Sequence, residues 1–319
     1  MTGPAPHVVV LRALGLGDLL TGIPALRGLR AAFGGARITL AAPAALGPLA
    51  ALSGAVDETA DTAPLSPPGR ALHHADLAVN MHGRGPQSTR LLLQTGPRRL
   101  IAFEHQDLPE TGGQPRWRAD EHEVTRWCRL LRESGIPADP AAIGLDRPAI
   151  PSPRPGAVII HPGAAAGARR WPAGRWAEVA RALNRASRPV VLTGTLREWP
   201  LARHVAARAG LPGDCVLAGR TGLEALAALT ARAALVLSGD TGVAHLAAAF
   251  ARPAVTLAGP VAPRLWGPPP RPWHRVLWAG LEGDPHAAEP GPGLLALQVE
   301  DVITAASQVL AAFSQPGGG

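Results

Sequence analysis

From residue 157 onward the chain repeats one alternation that leaves few folds open. "AVIIHPG" (157–163), "PVVLTG" (189–194), "CVLAG" (215–219), "ALVLSG" (234–239) and "PAVTLAG" (253–259) are short aliphatic runs that close on a small residue. Between them lie "PAGRWAEVARALNRA", "PLARHVAARAG", "GLEALAALTARA" and "TGVAHLAAAFA", apolar at helical spacing. Strands that alternate with helices predict a parallel sheet covered on both faces. The first half repeats the pattern less regularly. "HVVVLRAL" (7–14), "ARITLAAP" (36–43), "ADLAVNMHG" (75–83) and "RRLIAFEH" (98–105) read as strands, "GLGD" as a loop, and "TGIPALRGLRAAF" as a helix with Thr21 as N-cap and Pro24 in its first turn. The Pro-rich tract 136–156 reads as a linker. The expectation is an α/β protein of two Rossmann-like domains facing across a cleft, residues 1–150 and 151–319. Residues 267–293 read as loop with one short strand, "VEDVITAASQVLAAF" as a closing helix with Val302, Ala305, Val309 and Ala312 on one face, and "SQPGGG" as a disordered tail.

Composition narrows the function classes. Cys128 and Cys215 are the only cysteines and have no metal-type spacing, so no zinc site is expected. No apolar run approaches the ~20 residues of a membrane span, and the start of the chain does not read as a secretory signal, so a cytoplasmic protein with at most peripheral membrane contact is expected. Every one of the 31 basic residues is Arg, and the net charge is +7, which favours anionic ligands such as nucleotide phosphates. The arginines are scattered and few aromatics interleave with them, so nucleic acid is not an expected partner.

Three stretches place polar residues where an open α/β sheet binds ligands, beyond the carboxyl ends of its strands. In "LSGDTGVAHLAAAF" (237–250), the small loop lets a diphosphate approach the amides of Thr241 and Gly242 at a helix N-terminus, and Asp240 would accept hydrogen bonds from sugar hydroxyls. Alternatively Asp240 caps the helix and His245 packs in the core. In "HPGAAAGARRWPAGRW" (161–176), His161 and Gly163 end a strand, Ala164, Ala165 and Ala166 keep the following loop low, and Arg169 or Arg170 could neutralise a departing diphosphate. Both arginines could instead form a solvated rim, with Trp171 and Pro172 stapling the next helix. In "LGLGDLLTGIPALRGLR" (14–30), Asp18 is either a general base or a second N-cap.

Together these three stretches, in this order and spacing, resemble the bacterial heptosyltransferase family, glycosyltransferase family 9. The resemblance implies a GT-B fold with the acceptor on the N-terminal domain and the nucleotide-sugar on the C-terminal one. It also implies inverting, metal-independent transfer of a heptose or related sugar, with ADP-heptose as the donor and no cofactor. By motif position Asp18 matches the catalytic base and Arg169 the family's phosphate-holding Lys. Glu198 in "GTLREW", which opens at Gly194, matches a ribose-binding acid, and Thr221 a position beside adenine. Asp240, Thr241, Gly242 and His245 match the donor-binding set. Two departures stand out: the loop after His161 lacks hydroxyl residues, and Val261 and Ala262 replace a common Thr-Asp pair. The acceptor would be a polar natural product, such as an aminoglycoside or nucleoside antibiotic, or an envelope glycan such as lipopolysaccharide core. The polar segment 104–124 would lie near it, offering Glu104, Asp107 and Glu121, or would be a mobile surface loop. A sugar-nucleotide epimerase and a non-catalytic nucleotide-binding protein are the alternatives.

Overall fold

The computed structural model describes residues 5–186 and 188–314. The chain divides into two compact units, Met1–Asp146 and Arg147–Gly319.

The first unit contains β1 (His7–Leu11), α1 (Leu16–Ala32), β2 (Arg37–Ala42), α2 (Gly47–Ala51), β3 (Glu58–Asp61), β4 (Leu77–Asn80), α3 (Gln87–Gln94), β5 (Leu100–Ile101) and α4 (Glu123–Glu133). Its sheet is parallel throughout, in the order β3-β2-β1-β4-β5. The central strand β1 is buried along its whole length, which is why its "HVVVL" is an unbroken apolar run after the first residue. β3 was not legible in the sequence. It is "ETAD", an edge strand bonded only to β2, so nothing requires an apolar face. Conversely, "RRLIAFEH" supplies only the two-residue β5.

The start of α1 differs from the sequence expectation. The helix begins at Leu16, with Gly15 as N-cap, so "GLGD" is mostly first turn and Thr21 and Pro24 lie in the helix interior. Asp18 occupies the third helical position, and its Oδ2 accepts from the Gly15 amide at 3.1 Å. Thr21 Oγ1 donates back to the carbonyls of Gly17 and Asp18 at 3.0 and 3.1 Å instead of capping. The early start is held from outside the helix: the Arg12 guanidinium, at the end of β1, bonds the Asp18 carbonyl.

The second unit contains β6 (Val158–His161), α5 (Ala173–Arg185), β7 (Val190–Leu192), α6 (Trp199–Ala209), α7 (Leu223–Ala231), β8 (Leu235–Gly239), α8 (Gly242–Ala249), β9 (Ala254–Leu257), α9 (Pro263–Trp266), β10 (His274–Leu277), α10 (Pro292–Ala296) and α11 (Val299–Phe313). The sheet order is β10-β9-β8-β6-β7, again all parallel. The expected strand "CVLAG" is reduced to one bridge, Val216 to Leu192. A 3-10 turn through Cys215 and the left-handed Gly219 (φ +71°) leave it no length to extend. With Val216 counted, the strand order by position in this unit is 3-2-1-4-5-6, the dinucleotide-fold order. In α11, Val302, Ala305 and Val309 are buried and Ala312 is half-buried, as the spacing predicts. The three buried residues join a core that includes Trp171 and Trp176, whose rings meet edge to face at 5.0 Å. The tail from Gln315, expected to be disordered, lies outside the described residues.

Candidate functional site

In each unit the direction of the strand order reverses at one pair of neighbours: β1 with β4, and β6 with β8. Ligands of open α/β sheets bind at this switch point. The residues singled out in the sequence gather at these two places.

At the β6/β8 switch point the chain passes from β8 through Asp240 into α8. Thr241 is the N-cap, in extended conformation and without a side-chain cap bond, so Asp240 does not cap the helix. Burial pushes the Asp240 carboxyl above its usual range, and the Arg169 guanidinium partly opposes this. Gly239 permits the approach: a Cβ there would stand 2.9 Å from the Arg169 carbonyl, so the 3-10 turn Gly167–Arg169 lies across the end of β8. The two arginines of this turn differ in role. Arg170 Nε donates to the Ala164 carbonyl at 2.8 Å and so shapes the loop. The Arg169 side chain makes no hydrogen bond or ion pair among the described residues, and its Nε is buried without a partner. Ser238 Oγ and Thr241 Oγ1 are in the same condition. An unpartnered buried polar group costs about 1–3 kcal/mol, so three on one loop cluster mark a place shaped for a polar ligand. The α8 amides at Gly242 and Val243 add an anion-attracting helix end.

Glu198 organises the neighbouring wall. Its Oε2 accepts from the Thr195 amide at 2.8 Å and the Thr195 hydroxyl at 2.9 Å. Gly163 and Gly194 make room for it: a Cβ on Gly163 would collide with the carboxylate, and one on Gly194 would meet Glu198 Cβ at 3.1 Å. Oε1 bonds nothing among the described residues. His161, buried at the end of β6, meets Thr193 Oγ1 at 3.0 Å. Burial holds its imidazole below the ordinary value, with Glu198 opposing, so the ring is neutral at pH 7. Thr221 lies next to this wall, because the Gly219 amide bonds the Gly194 carbonyl at 2.9 Å and Leu196 packs on Gly219. Leu196, which no sequence motif singles out, is 75% exposed there. Ala164 is buried and Ala165 exposed on the low loop. His245 is half-buried rather than a core residue, its ring 6.4 Å from that of Trp266. A pocket joins Asp240 and His245 to an apolar wall that includes Val261, Ala262 and Trp266.

At the β1/β4 switch point the cation is buried instead. Arg12 bonds the carbonyls of Asp18 and Met81, the Thr21 hydroxyl at 3.0 Å and Glu123 Oε1 at 3.2 Å, and stacks on Trp127 at 4.8 Å. Asp18 lies above it, with Oδ1 3.8 Å from the guanidinium and its side chain 28% exposed. The segment 104–122 is tied to α4 by hydrogen bonds. From α4, Arg126 and Arg129 bond the carbonyls of Arg116, Arg118, Ala119 and Glu121, and Trp117 packs between Arg126 and Phe103. This corrects the expectation for Glu121: both its oxygens accept from Arg129 at 2.8 Å, which makes it a structural anchor and not a lining residue. Glu104 pairs with Arg116 at 3.1 Å, and Asp107 lies 3.7 Å from His105. Among the described residues no group of three or more His, Cys, Asp or Glu could hold a metal ion, and no helix is long and apolar enough to cross a membrane.

A family model described as "Glycosyltransferase family 9 (heptosyltransferase)" matches residues 98–286, more than half of the chain. No curated protein sequence matches it. Among solved structures, a glycosyl transferase family 9 protein from Veillonella parvula DSM 2008 superposes with a TM-score of 0.79 at 21% identity, covering 98% of this chain and 99% of that one. The E. coli ADP-heptose lps heptosyltransferase II gives 0.77 at 22%, covering 96% and 98%. The E. coli heptosyltransferase WaaC with ADP gives 0.73 at 20%, covering 95% and 99%. The fold is therefore GT-B, and the chain, a glycosyltransferase, belongs to glycosyltransferase family 9.

Proposed function

We propose that this enzyme transfers a heptose or related sugar from ADP-heptose to a hydroxyl of a polar acceptor, with inversion and without a metal ion. One observation carries the donor half of this reading. The β6/β8 switch point presents an uncommitted guanidinium, an unpartnered hydroxyl on Thr241 and a helix N-terminus on one loop cluster. That set suits a diphosphate. Glu198, braced by Thr195 with Oε1 free, suits the ribose hydroxyls, and Thr221 on the adjoining turn is proposed to meet the base. Support for adenine comes from relatives whose names carry ADP-heptose or ADP.

In the proposed reaction the acceptor oxygen forms a bond to the anomeric carbon as the bond to the diphosphate breaks, and the proton passes to Asp18. Single displacement inverts the centre. Asp18 suits a base: one oxygen is held by the Gly15 amide, and the side chain reaches solvent. The leaving diphosphate gains charge as it departs. Arg169 and the α8 amides meet that charge without a metal. The three alanines at 164–166 offer no hydroxyl, so backbone amides and Arg169 carry the phosphate contacts. The acceptor is either a small natural product or an envelope glycan such as the lipopolysaccharide of the E. coli relative's name. The protein is proposed to work in the cytoplasm, where nucleotide-sugars are made.

Calorimetric titration with ADP, GDP, UDP and dTDP, each alone and as a sugar conjugate, tests the donor. Tight binding restricted to ADP and ADP-heptose is expected. Preference for another base would keep the mechanism and overturn the heptose assignment.

A further inference from the structure

A second titratable side chain stands at the β1/β4 switch point beside Asp18. His82 lies two residues beyond β4, whose Asn80 pairs with Leu11 of β1. One guanidinium ties the turns that carry the two residues. Arg12 Nε bonds the Asp18 carbonyl, and Nη1 bonds the carbonyl of Met81, the residue before His82. The His82 backbone is fixed further: its amide donates to Asn80 Oδ1 at 3.0 Å, and Asn80 Nδ2 donates to Ser88 and Thr89 of α3 at 3.0 and 2.8 Å.

The ring is treated differently from the backbone. The buried histidines His7 and His161 each meet a threonine hydroxyl, at 2.9 and 3.0 Å. His82 Nδ1 is buried with no partner, and neither ring nitrogen bonds any described residue. Burial lowers the His82 pKa, Arg12 pushes the same way and Asp18 opposes them, so the ring is neutral at pH 7. An unpartnered lone pair is tolerated in a buried position better than an unpartnered N–H, which leaves the proton on Nε2. The switch point therefore holds an acceptor, the Asp18 side chain, and a neutral donor, the His82 ring, with both backbones locked to one buried cation.

We propose that His82 and Asp18 together grip a vicinal diol of the acceptor, Asp18 accepting from the attacking hydroxyl while His82 Nε2–H donates to the neighbouring oxygen. This rests on the transferase reading above and narrows its acceptor to a carbohydrate or cyclitol with adjacent hydroxyls. His82 is an acceptor-binding residue on this account, and the donor does not touch it.

The test measures ADP release from ADP-heptose by the full chain, in water alone and with methyl glycosides supplied as pairs, each vicinal diol beside its monodeoxy analogue. At least one diol is expected to accelerate release tenfold or more over water, and its deoxy partner to lose most of that gain. His82→Ala should raise the KM for the diol at least tenfold while the Kd for ADP stays within twofold, which also reports an intact fold. His82→Gln, whose amide nitrogen reproduces the Nε2 donor, should recover part of the loss. The ring 15N resonances of His82 should move on adding the diol and stay still on adding ADP. Equal acceleration by diol and deoxy partner, an indifferent His82→Ala, equal loss in the Ala and Gln variants, or no acceleration by any diol would each overturn the proposal. A wild type that neither binds ADP nor consumes ADP-heptose would instead remove the transferase reading. Turnover that needs Asp18 but ignores His82 would remove this inference alone.

Discussion

The two switch points use the same pair of residue types in opposite ways. In the first unit the arginine is buried and fully committed, and the carboxylate above it reaches solvent: Arg12 bonds two carbonyls, a hydroxyl and Glu123, while Asp18 is 28% exposed. In the second unit the guanidinium is uncommitted and the carboxylate is the desolvated group, since the Arg169 side chain bonds nothing among the described residues and burial raises the Asp240 pKa. A committed cation holds backbone in place. An uncommitted one is available to a ligand whose charge changes during reaction. On the proposed mechanism, Arg12 serves the first site by holding its geometry and Arg169 serves the second by stabilising charge.

The largest effect is expected at the exposed carboxylate. Asp18→Asn keeps the shape and an acceptor oxygen for the Gly15 amide but removes the base, so turnover should fall about 10²–10⁴-fold with ADP binding unchanged. A parallel loss of ADP binding would make Asp18 structural. Next comes the committed cation. Arg12→Met strips the partner from buried groups and should cost about 3–5 kcal/mol of stability, read from a denaturant midpoint. The uncommitted cation should behave in the reverse manner. Arg169→Ala should shift the midpoint far less than Arg12→Met, because the side chain has no hydrogen-bond or ion-pair partner to orphan, and lower turnover about 10²–10³-fold. Arg169→Lys should recover part of the rate, because a point charge serves a diphosphate even without the planar fork. If Arg169→Ala destabilised the protein as much as Arg12→Met, the contrast between the two sites would collapse.

How much of this contrast was readable in advance follows from what each residue does. The β8–α8 junction was legible, because a buried parallel strand must be aliphatic and a polar Asp-Thr pair at its end stands out. α11 was legible from its 3.6-residue period. β3 was not, since an edge strand can be polar on both faces, and Val216 looked like a full strand because nothing local records that its partner offers one bridge. Arg12 escaped for a deeper reason. Arginine is almost never fully buried, so a residue at 1% exposure in that place cannot be read from the letter R. Its burial depends on Glu123, Trp127 and a glycine, Gly22, whose Cβ would press on the guanidinium stem at 3.0 Å. Glu123 lies 111 residues away in the chain, and Trp127 further still. The same long-range pairing turned Glu121 from a candidate ligand into an anchor.

The smallest expected effect is the most discriminating for the second site. Burial raises the Asp240 carboxyl pKa in the folded state and Arg169 only partly offsets it. A raised carboxyl pKa favours folding below the unfolded value, and that contribution is lost as pH rises through the folded value. Above its raised folded-state pKa the ionised Asp240 therefore weighs against the fold. Asp240→Asn, which cannot ionise, should melt slightly higher than wild type at pH 7, and the difference should shrink as pH falls into the carboxylate range. The same substitution should weaken ADP-sugar binding, since an amide accepts less strongly from sugar hydroxyls than a carboxylate. Thermal midpoints between pH 4 and 8, with and without ADP-heptose, test both halves. A gain in stability joined to a loss of binding is the signature of a charge kept for its ligand, whereas a loss of both would mean that Asp240, like Arg12, is committed to the protein.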